Sequence, residues 1–460
     1  MSLSSAVIES ARKELAELLG DRCSVARAVR DQHGKDESWH AASPPDIVCF
    51  ATSTEEVSGI VKICAKYKVP VIPFGAGTSL EGHINAVHGG VSVDLNQMND
   101  ILTVNAEDLD CVVQPGVRRK QLNEYLRDTG LFFPIDPGAD ASIGGMASTR
   151  ASGTNAVRYG TMRDNILNLT VVLPDGKIIK TGGRAKKSAA GYDLTRLYIG
   201  SEGTLGIITE ATLRLYGIPE AVAAATVSFP DIESAVQSVI LTIQTGIPIA
   251  RIELLDDVQI DAINKYSGLD LPVQPSLFLE FHGSEHSVKE QSEMVGDICK
   301  EFGAEDFKWT VQAEERTRLW AARHDAAYAA RALRPGAEMW ATDVCVPISR
   351  LADCIMQTKE ELEKTNLIAP LVGHVGDGNF HLAFVLDLDN PDELAAAQVL
   401  NNNLIKRALA MDGTCTGEHG VGLGKKKYLA EELGEDALGV MKTLKTALDP
   451  DNIMNPGKII

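Results

Sequence analysis

The chain has 460 residues, of which 44% are hydrophobic and 23% are charged, and its formal net charge is −19 at pH 7. This length exceeds what one hydrophobic core usually organises, so two or three domains are expected. The acidic charge disfavours nucleic acid and anionic membrane surfaces as partners. No apolar run reaches the roughly 18 residues that would indicate a transmembrane helix.

The N-terminal residues predict neither a signal peptide nor an arginine-rich transit peptide, but a first helix with Glu9, Glu14 and Glu17 on its polar face. The eight cysteines form no Cys-x-x-Cys pair, which argues against an iron–sulfur cluster or a cysteine zinc site. Scattered single cysteines are typical of a reducing compartment. We therefore expect a cytoplasmic protein if the source is bacterial, or a mature mitochondrial form if it is eukaryotic.

The first half of the chain alternates helices and strands. Ser53 and Glu56 form a capping box, which predicts a helix with Val57, Ile60 and Val61 on one side. Residues 136–160, rich in glycine, serine and alanine, favour neither regular element. The other predicted elements are strands at 69–73, 90–95, 110–114 and 207–215, a helix at 119–128, and a hairpin at 167–180 that turns at 174–176.

After Pro219 glycine becomes rarer and longer helices appear. This half is expected to form an α+β domain with helices on a mainly antiparallel sheet. We place the boundary near residue 221, after an N-terminal helical segment at 1–42 and a first domain at 43–221. The predicted elements of the second domain, 222–460, are helices at 231–245, 287–302 and 313–333 and strands at 249–255, 277–281 and 342–346.

Small residues are concentrated in four segments, at 74–82, 137–145, 151–160 and 200–206. Backbone N–H groups in such segments can approach a phosphate closely. Each segment alone could be a plain surface loop, but four in one region indicate a large, elongated ligand. The first lacks the third glycine of a dinucleotide fingerprint, because Leu80 stands there, so a nicotinamide dehydrogenase of the usual kind is disfavoured.

Residues 373–381 (GHVGDGNFH) carry the strongest chemical signal. Asp377-Gly378 predicts a two-residue hairpin turn in which both positions have positive φ. In that register His374 is directly opposite His381, with Cβ atoms roughly 5 Å apart. Two imidazoles at that spacing can hold a divalent ion, and Glu418 can supply a third ligand. The alternatives are two ordinary histidines on a sheet face and a surface dipeptide at Glu418-His419.

Two groups of motifs resemble known flavoproteins. Segments 73–79, 136–145, 156–165 and 200–206 resemble the FAD-binding domain of the vanillyl-alcohol oxidase and p-cresol methylhydroxylase superfamily. Segments 342–347, 373–381, 412–420 and 455–458 are similar to the FAD-linked D-lactate dehydrogenases of the cytochrome-reducing type. The resemblance extends over nearly the whole chain from about residue 40.

This resemblance implies an α+β fold. It pairs a two-subdomain FAD-binding domain of the p-cresol methylhydroxylase type, at 43–221, with an α+β substrate or cap domain at 222–460. The cap domain has a mainly antiparallel sheet, and its C-terminal segment returns to the FAD domain. Some relatives attach flavin through a histidine near His83, but close relatives have glycine there, so FAD is expected to be non-covalent. The residues implied in cofactor binding are Pro73, Gly75, Ala76, Gly77, Thr78, Ser79, Pro137, Gly138, Ser142, Gly144, Gly145, Ser152, Gly160, Ile208 and Asn455.

The implied reaction is the FAD- and metal-dependent oxidation of D-lactate, or a related small D-2-hydroxy acid, to the 2-oxo acid. A divalent ion (zinc, manganese or iron) on His374, His381 and Glu418 would bind the substrate's hydroxyl and carboxylate and lower the hydroxyl pKa. His419 would be the general base. Arg323 would anchor the substrate carboxylate, unless it is a solvated helix arginine. Hydride would pass to flavin N5, and electrons to cytochrome c, quinone or electron-transfer flavoprotein.

Several other interpretations remain open. A D-2-hydroxyglutarate dehydrogenase is disfavoured because Ala327 and Ala341 stand where a second carboxylate would be bound, and Ala327 could face the substrate pocket. A glycolate oxidase-type flavoenzyme is a closer alternative, as is an oxidase that gives its electrons to oxygen. From other classes, two histidines and a carboxylate also suit a non-flavin hydrolase or oxygenase, or a metal-binding scaffold. A homodimer is one expected assembly.

Overall fold

The computed structural model describes residues 4–460. The strands are β1 Cys23–Ser24, β2 Ile47–Phe50, β3 Val71–Phe74, β4 Val91–Asp94, β5 Ile101–Asn105, β6 Asp110–Val113, β7 Leu131–Phe132, β8 Ile166–Val172, β9 Ile178–Lys180, β10 Ile207–Arg214, β11 Tyr216–Gly217, β12 Ala221–Ser228, β13 Ile249–Leu255, β14 Ser276–Gly283, β15 Glu305–Thr310, β16 Glu338–Ala341, β17 Val344–Cys345, β18 Leu371–His374 and β19 Asn379–Leu386. The α-helices are α1 Ser5–Leu19, α2 Arg27–Gln32, α3 Thr54–Tyr67, α4 Arg119–Leu126, α5 Ile143–Thr149, α6 Ala156–Tyr159, α7 Met162–Asn165, α8 Leu194–Tyr198, α9 Ile232–Gln244, α10 Asp257–Ser267, α11 Glu285–Glu301, α12 Ala313–His324, α13 Ala326–Ala332, α14 Leu351–Leu362, α15 Pro391–Ala410, α16 Leu429–Leu433 and α17 Glu435–Leu448.

These elements form two compact units. The first contains the chain up to Ser152 together with Gly160–Ile218 and Glu418–Ile460, and the second contains Gly153–Tyr159 and Pro219–Gly417. Among residues 4–460, no helix has the length and apolar content that crossing a membrane requires.

The first unit contains two larger sheets and the two-stranded sheet β7-β11. One has the strand order β1-β2-β4-β3, in which β2, β4 and β3 are parallel and β1 is antiparallel. The other is antiparallel, in the order β5-β6-β10-β8-β9. The predicted helix α3 packs on the core of the first sheet through buried Val57, Ile60 and Val61. Its N-cap is Ser53, whose side chain accepts the Glu56 N–H at 3.2 Å.

The prediction that residues 136–160 contain no regular element is wrong, because α5 forms there. Ser142 caps this helix by accepting the Gly145 N–H at 3.4 Å. Gly144 lies against Pro115, where an added Cβ would meet the proline Cβ at 2.5 Å. Glycine at this position therefore permits close helix packing rather than loop flexibility.

The second unit is built on one antiparallel sheet, as predicted. Its order is β15-β12-β14-β13-β18-β19-β16, and β17 also pairs with β19. Helix α11 packs on β12 and β14, whereas α10, α12 and α13 enclose a separate apolar cluster around Ile260, Phe278 and Trp320. The single helix predicted at 313–333 is wrong: the chain bends at Asp325, which separates α12 from α13 with a ψ of 2°. Aspartate has a low preference for helix interiors, which fits such a break, although its side chain makes no cap hydrogen bond here.

Candidate active site

The histidine hairpin forms, but in a different register from the one predicted. Strands β18 and β19 are joined by residues 375–378, and His374 is opposite Asn379 while Val372 is opposite His381. The two-residue turn is wrong because Gly378 has a φ of 79° whereas Asp377 does not take positive φ. The loop is closed by N–H bonds from Asp377 to His374 O at 3.0 Å and from Gly378 to Val375 O at 3.3 Å.

The two histidines nevertheless lie on the same face of the sheet. Val372 and His374 are two residues apart on one strand, so His381, opposite Val372, is a diagonal neighbour of His374. The imidazole centroids are 5.5 Å apart, and the rings offer nitrogens within 4.8 Å of each other. The pair can therefore hold one ion.

Neighbouring oxygens set the tautomer of both imidazoles. His374 Nδ1 lies 2.7 Å from Glu253 Oε1, and His381 Nδ1 lies 2.8 Å from the Thr342 carbonyl. Both neighbours accept hydrogen bonds, so each Nδ1 donates its proton and each Nε2 carries the lone pair. Histidines that bind metals in proteins are commonly oriented in this way.

Glu253 connects His374 to Arg323. It is 1% exposed on β13, and its Oε2 accepts hydrogen bonds from Arg323 Nε, at 3.0 Å, and from Nη2. Burial opposes ionisation of this carboxyl group, but its attraction to His374 and Arg323 and their hydrogen bonds outweigh it, so the Glu253 pKa is lowered. Arg323 is itself only 9% exposed, which rules out a solvated helix arginine.

A second buried carboxylate, Asp343, connects the hairpin to the segment before Glu418. Asp343 Oδ1 accepts from Asn379 Nδ2 at 2.8 Å, and its Oδ2 accepts from Thr416 Oγ1 at 2.7 Å. Gly417 packs directly on the Asn379 amide, leaving no room for a Cβ. These contacts interrupt the strand predicted at 342–346, of which only β17 forms.

Glu418 and His419 begin the C-terminal segment of the first unit. The loop that follows them is held by Glu202, which accepts the Val421 N–H at 2.7 Å and the Gly422 N–H at 2.9 Å. Glu202 is 5% exposed and its Oε1 lies 3.4 Å from His83 Nε2. Burial opposes the charge on each partner, but their mutual attraction prevails, so the pKa of Glu202 is lowered and that of His83 is raised.

Two of the four small-residue segments, 74–82 and 137–145, are in direct contact within the first unit, and segment 200–206 packs against residues that flank them. Gly75 packs on Ser142, and Gly203 lies against Pro73, where a Cβ would be 2.8 Å from Cγ. The Gly200 N–H donates to Ala147 O at 2.9 Å. These contacts leave no space for larger side chains, which fits a backbone cradle around an extended cofactor.

All fifteen residues implied in cofactor binding belong to the first unit. Asn455, near the C-terminus, donates from Nδ2 to Glu202 O at 2.7 Å and to His83 O at 3.0 Å. Ile208, by contrast, is 4% exposed and packs in the core of the antiparallel sheet. Gly138 is exposed, and a Cβ there would meet no neighbour.

The sequence reasoning missed Glu253, Glu202 and Asp343. Each is a buried acid. Glu253 lies in the segment 249–255, in which every residue except Glu253 and Arg251 is apolar. A charged residue inside a buried strand could have indicated a paired, site-forming role. Glu202 lies in the segment 200–206, whose glycines indicate a phosphate-binding loop and give no signal for a buried carboxylate.

Comparison with known proteins supports the fold and the family. The family of FAD linked oxidases, C-terminal domain, matches residues 218–459, and the FAD binding domain matches residues 45–182. Among solved structures, p-cresol methylhydroxylase has a TM-score of 0.82 at 20% identity, covering 99% of this chain and 97% of that one. The 4-ethylphenol oxidase of Gulosibacter chungangensis also gives 0.82 at 20% identity, with 99% and 98% covered.

Curated relatives are similar over the whole chain. The probable mitochondrial D-lactate dehydrogenase of Danio rerio is 56% identical, covering 100% of this chain and 93% of that protein. The mitochondrial D-lactate dehydrogenase [cytochrome] of Arabidopsis thaliana is 49% identical, with 97% and 79% covered. The glycolate oxidase subunit GlcD of Bacillus subtilis is 35% identical, with 98% and 97% covered.

The fold is thus that of p-cresol methylhydroxylase, and the family models define an FAD-linked oxidase with an FAD-binding domain and an α+β domain. The predicted α+β fold class is confirmed. Within this class, the chain belongs to the FAD-linked D-lactate dehydrogenase family.

Proposed function

We propose that this enzyme oxidises D-lactate, or a related small D-2-hydroxy acid, to the 2-oxo acid. The observation that carries the proposal is the pair His374 and His381, whose side chains share one sheet face. Arg323 is connected to this pair through the carboxylate of Glu253. The names of the relatives from Danio rerio and Arabidopsis thaliana support the substrate. Bound FAD supplies the acceptor for the hydride that leaves C2.

The proposed metal ligands are His374, His381 and Glu418. Two Nε2 lone pairs and a carboxylate suit zinc, manganese or iron, and such an ion supplies Lewis-acid chemistry at the substrate hydroxyl. Glu418 follows Gly417 in the chain, and Gly417 packs on Asn379, the strand partner of His374. Glu418 therefore directly follows, in the sequence, a residue that contacts the hairpin.

Two further residues complete the proposed chemistry. Arg323 uses Nε and Nη2 to bind Glu253, so its Nη1 is the nitrogen that we assign to the substrate carboxylate. His419 takes the hydroxyl proton, because imidazole titrates near working pH. We propose that FAD is held without a covalent bond, because the candidate attachment residue His83 is buried beside Glu202.

The substrate's side chain is proposed to be small and uncharged. Ala327 is exposed on α13 and Ala341 is half-buried at the end of β16, and neither can bind a second carboxylate. Glycolate is the second candidate, because a relative of 35% identity is named as a glycolate oxidase subunit. Cytochrome c is the proposed acceptor, with quinone and electron-transfer flavoprotein as alternatives, since three relatives are named as cytochrome-linked and mitochondrial. Those names also favour a mitochondrial location.

Anaerobic flavin bleaching tests this function. The purified yellow protein is mixed with D-lactate, L-lactate, glycolate or D-2-hydroxyglutarate, with and without chelator, and the oxidised-flavin absorbance is followed. We expect fast bleaching by D-lactate and strong slowing after metal removal. Preference for an L-acid or for the glutarate would contradict the substrate, and bleaching that is indifferent to chelator would contradict the metal site.

A further inference from the structure

We infer that Glu253 is a positioning residue that orients both Arg323 for substrate anchoring and His374 for metal binding. The inference rests on the proposed function and assigns a role to a residue that touches neither substrate nor metal directly. Its basis is the division of one carboxylate between two partners. Oε1 accepts from His374 Nδ1 at 2.7 Å, and Oε2 accepts from Arg323 Nε at 3.0 Å.

The burial of Glu253 makes this arrangement rigid. Its strand neighbours Ile252 and Leu254 are 1% and 0% exposed, and Glu253 itself is 1% exposed. An ionised carboxylate at this depth is unfavourable unless donors surround it. Both partners are therefore held in one orientation, which directs His374 Nε2 and Arg323 Nη1 away from the carboxylate.

A carboxylate is required here because both partners donate hydrogen bonds. A glutamine amide has one acceptor oxygen and one NH2 group, which only donates. If its NH2 faced Arg323, two donors would meet. If it faced His374, Nδ1 would have to accept, and the proton would move to Nε2, the nitrogen proposed to bind the metal. The substitution Glu253→Gln preserves the shape, but in either orientation one partner faces the NH2 group, and the loss of the negative charge weakens the hydrogen bonds to both partners.

Glu280 provides a matched control on the neighbouring strand β14. It is 6% exposed, accepts a hydrogen bond from His282 Nε2 at 2.8 Å and lies 3.4 Å from Arg251 Nε. This group has the same chemical composition as the Glu253 group. Its partners are different histidine and arginine residues, so Glu280→Gln disturbs a buried carboxylate without disturbing His374 or Arg323.

The test measures Zn2+ affinity by calorimetry on the FAD-loaded, chelator-treated protein, together with the KM for D-lactate. We expect Glu253→Gln to weaken Zn2+ binding by about 10- to 100-fold, the usual effect of losing a partner that orients a metal ligand. The KM is expected to rise as well. Glu280→Gln should leave Zn2+ affinity unchanged, and Arg323→Met should raise KM while retaining Zn2+ affinity.

The inference is overturned if Glu253→Gln binds Zn2+ as tightly as Glu280→Gln while the wild type binds metal and oxidises D-lactate. If Glu253→Gln does not fold, the double variant Glu253→Gln/Arg323→Met is compared with Arg323→Met, since removing both charges relieves the unpaired arginine. Equal Zn2+ affinity in that pair also overturns it. If His374→Ala binds Zn2+ as tightly as the wild type does, the proposed metal site is overturned, and the inference with it.

Discussion

Buried carboxylates position the histidines of the candidate site. Glu253 and Asp343 serve the hairpin of the second unit, and Glu202 serves the loop that follows His419 in the first. Each lies at 5% exposure or less, and each accepts at least two hydrogen bonds. Because such groups are costly to bury without donors, they fix the geometry of whatever they hold.

Glu202 offers a direct test at the residue scale. In Glu202→Gln, one of the two loop N–H groups, from Val421 or Gly422, would face an NH2 group instead of an oxygen. An unsatisfied buried donor costs about 1–3 kcal/mol, so we expect that loss in the free energy of unfolding. Turnover of D-lactate should fall too, because this loop directly follows His419, the proposed general base. Urea denaturation and kcat/KM measure the two effects.

Glu210→Gln is the control for this experiment. Glu210 lies on β10 and accepts a hydrogen bond from Thr170 Oγ1 at 2.7 Å. Its hydrogen-bond partner is not part of the 421–422 loop. If Glu202→Gln and Glu210→Gln lose the same turnover and stability, Glu202 has no special role in holding the loop.

At the element scale, local sequence patterns predicted many of the longer helices and strands but not the register of the histidine hairpin. The Asp377-Gly378 pair indicated a turn, and the turn forms. Its length is decided elsewhere, because the Gly378 carbonyl accepts the Val346 N–H at 3.0 Å and Gly378 packs on the Val346 carbonyl. A contact with a residue 32 positions away in the chain is invisible to a local turn rule. The shared face of His374 and His381 was predicted correctly, although through the wrong pairing.

A similar limit applies to α5 and to the break at Asp325. Residues 143–149 include two glycines and have a low overall helix propensity. The helix forms because Gly144 packs on Pro115 and Ser142 caps the first turn. The candidate metal ligands could be proposed from the sequence because histidine and glutamate have a restricted chemistry. The partners of Glu253 could not be identified in this way, because they follow from a strand pairing that places β13 beside β18.

The first turn of α3 gives a pH prediction. Glu56 is bound by Arg22 at 2.5 and 2.6 Å and also accepts the Thr52 N–H, and the Arg22 hydrogen bonds are the main reason that its pKa falls from 4.5 to about 2. A carboxylate with a lowered folded-state pKa stabilises the protein above the unfolded pKa, and that stability is lost as the pH falls from 4.5 towards 2. Solvent screening at this partly exposed pair limits the effect to about 1 kcal/mol.

We therefore expect Glu56→Gln to be less stable than the wild type at pH 7 and to show a smaller further loss on acidification. Glu55→Gln, in the same helical turn but exposed, is the control for removing a negative charge from a helix N-terminus. Thermal unfolding at pH 7 and pH 3.5 measures the difference. Parallel pH profiles for wild type and Glu56→Gln would disprove the assignment.

For the whole molecule, the end of the chain closes the cofactor-binding unit onto its beginning. Val71 on β3 donates its N–H to Ile453 O at 2.7 Å, and the Asn455 N–H donates to Val71 O at 2.8 Å. Lys458 Nζ, 2% exposed, donates to Asn85 O at 2.7 Å. Pairings between positions so far apart in the chain impose a large loop-closure entropy, so the segment must form many specific bonds to stay in place.

Asn455 is the residue at which this closure can be tested. Its side chain donates to Glu202 O and His83 O, is 2% exposed, and its backbone has a φ of 37°. Asn455→Ala leaves two buried carbonyls without this donor and puts alanine in a left-handed conformation, which together should cost about 2–4 kcal/mol. Since residues 455–458 lie beside Glu202 and His83, FAD affinity should also fall. Asn452→Ala separates the two effects: Asn452 has a φ of 51° but is exposed, so it carries the backbone strain alone. Thermal unfolding and FAD titration of the two variants measure the difference, and equal losses would show that the Asn455 hydrogen bonds contribute nothing to closing this unit around its cofactor.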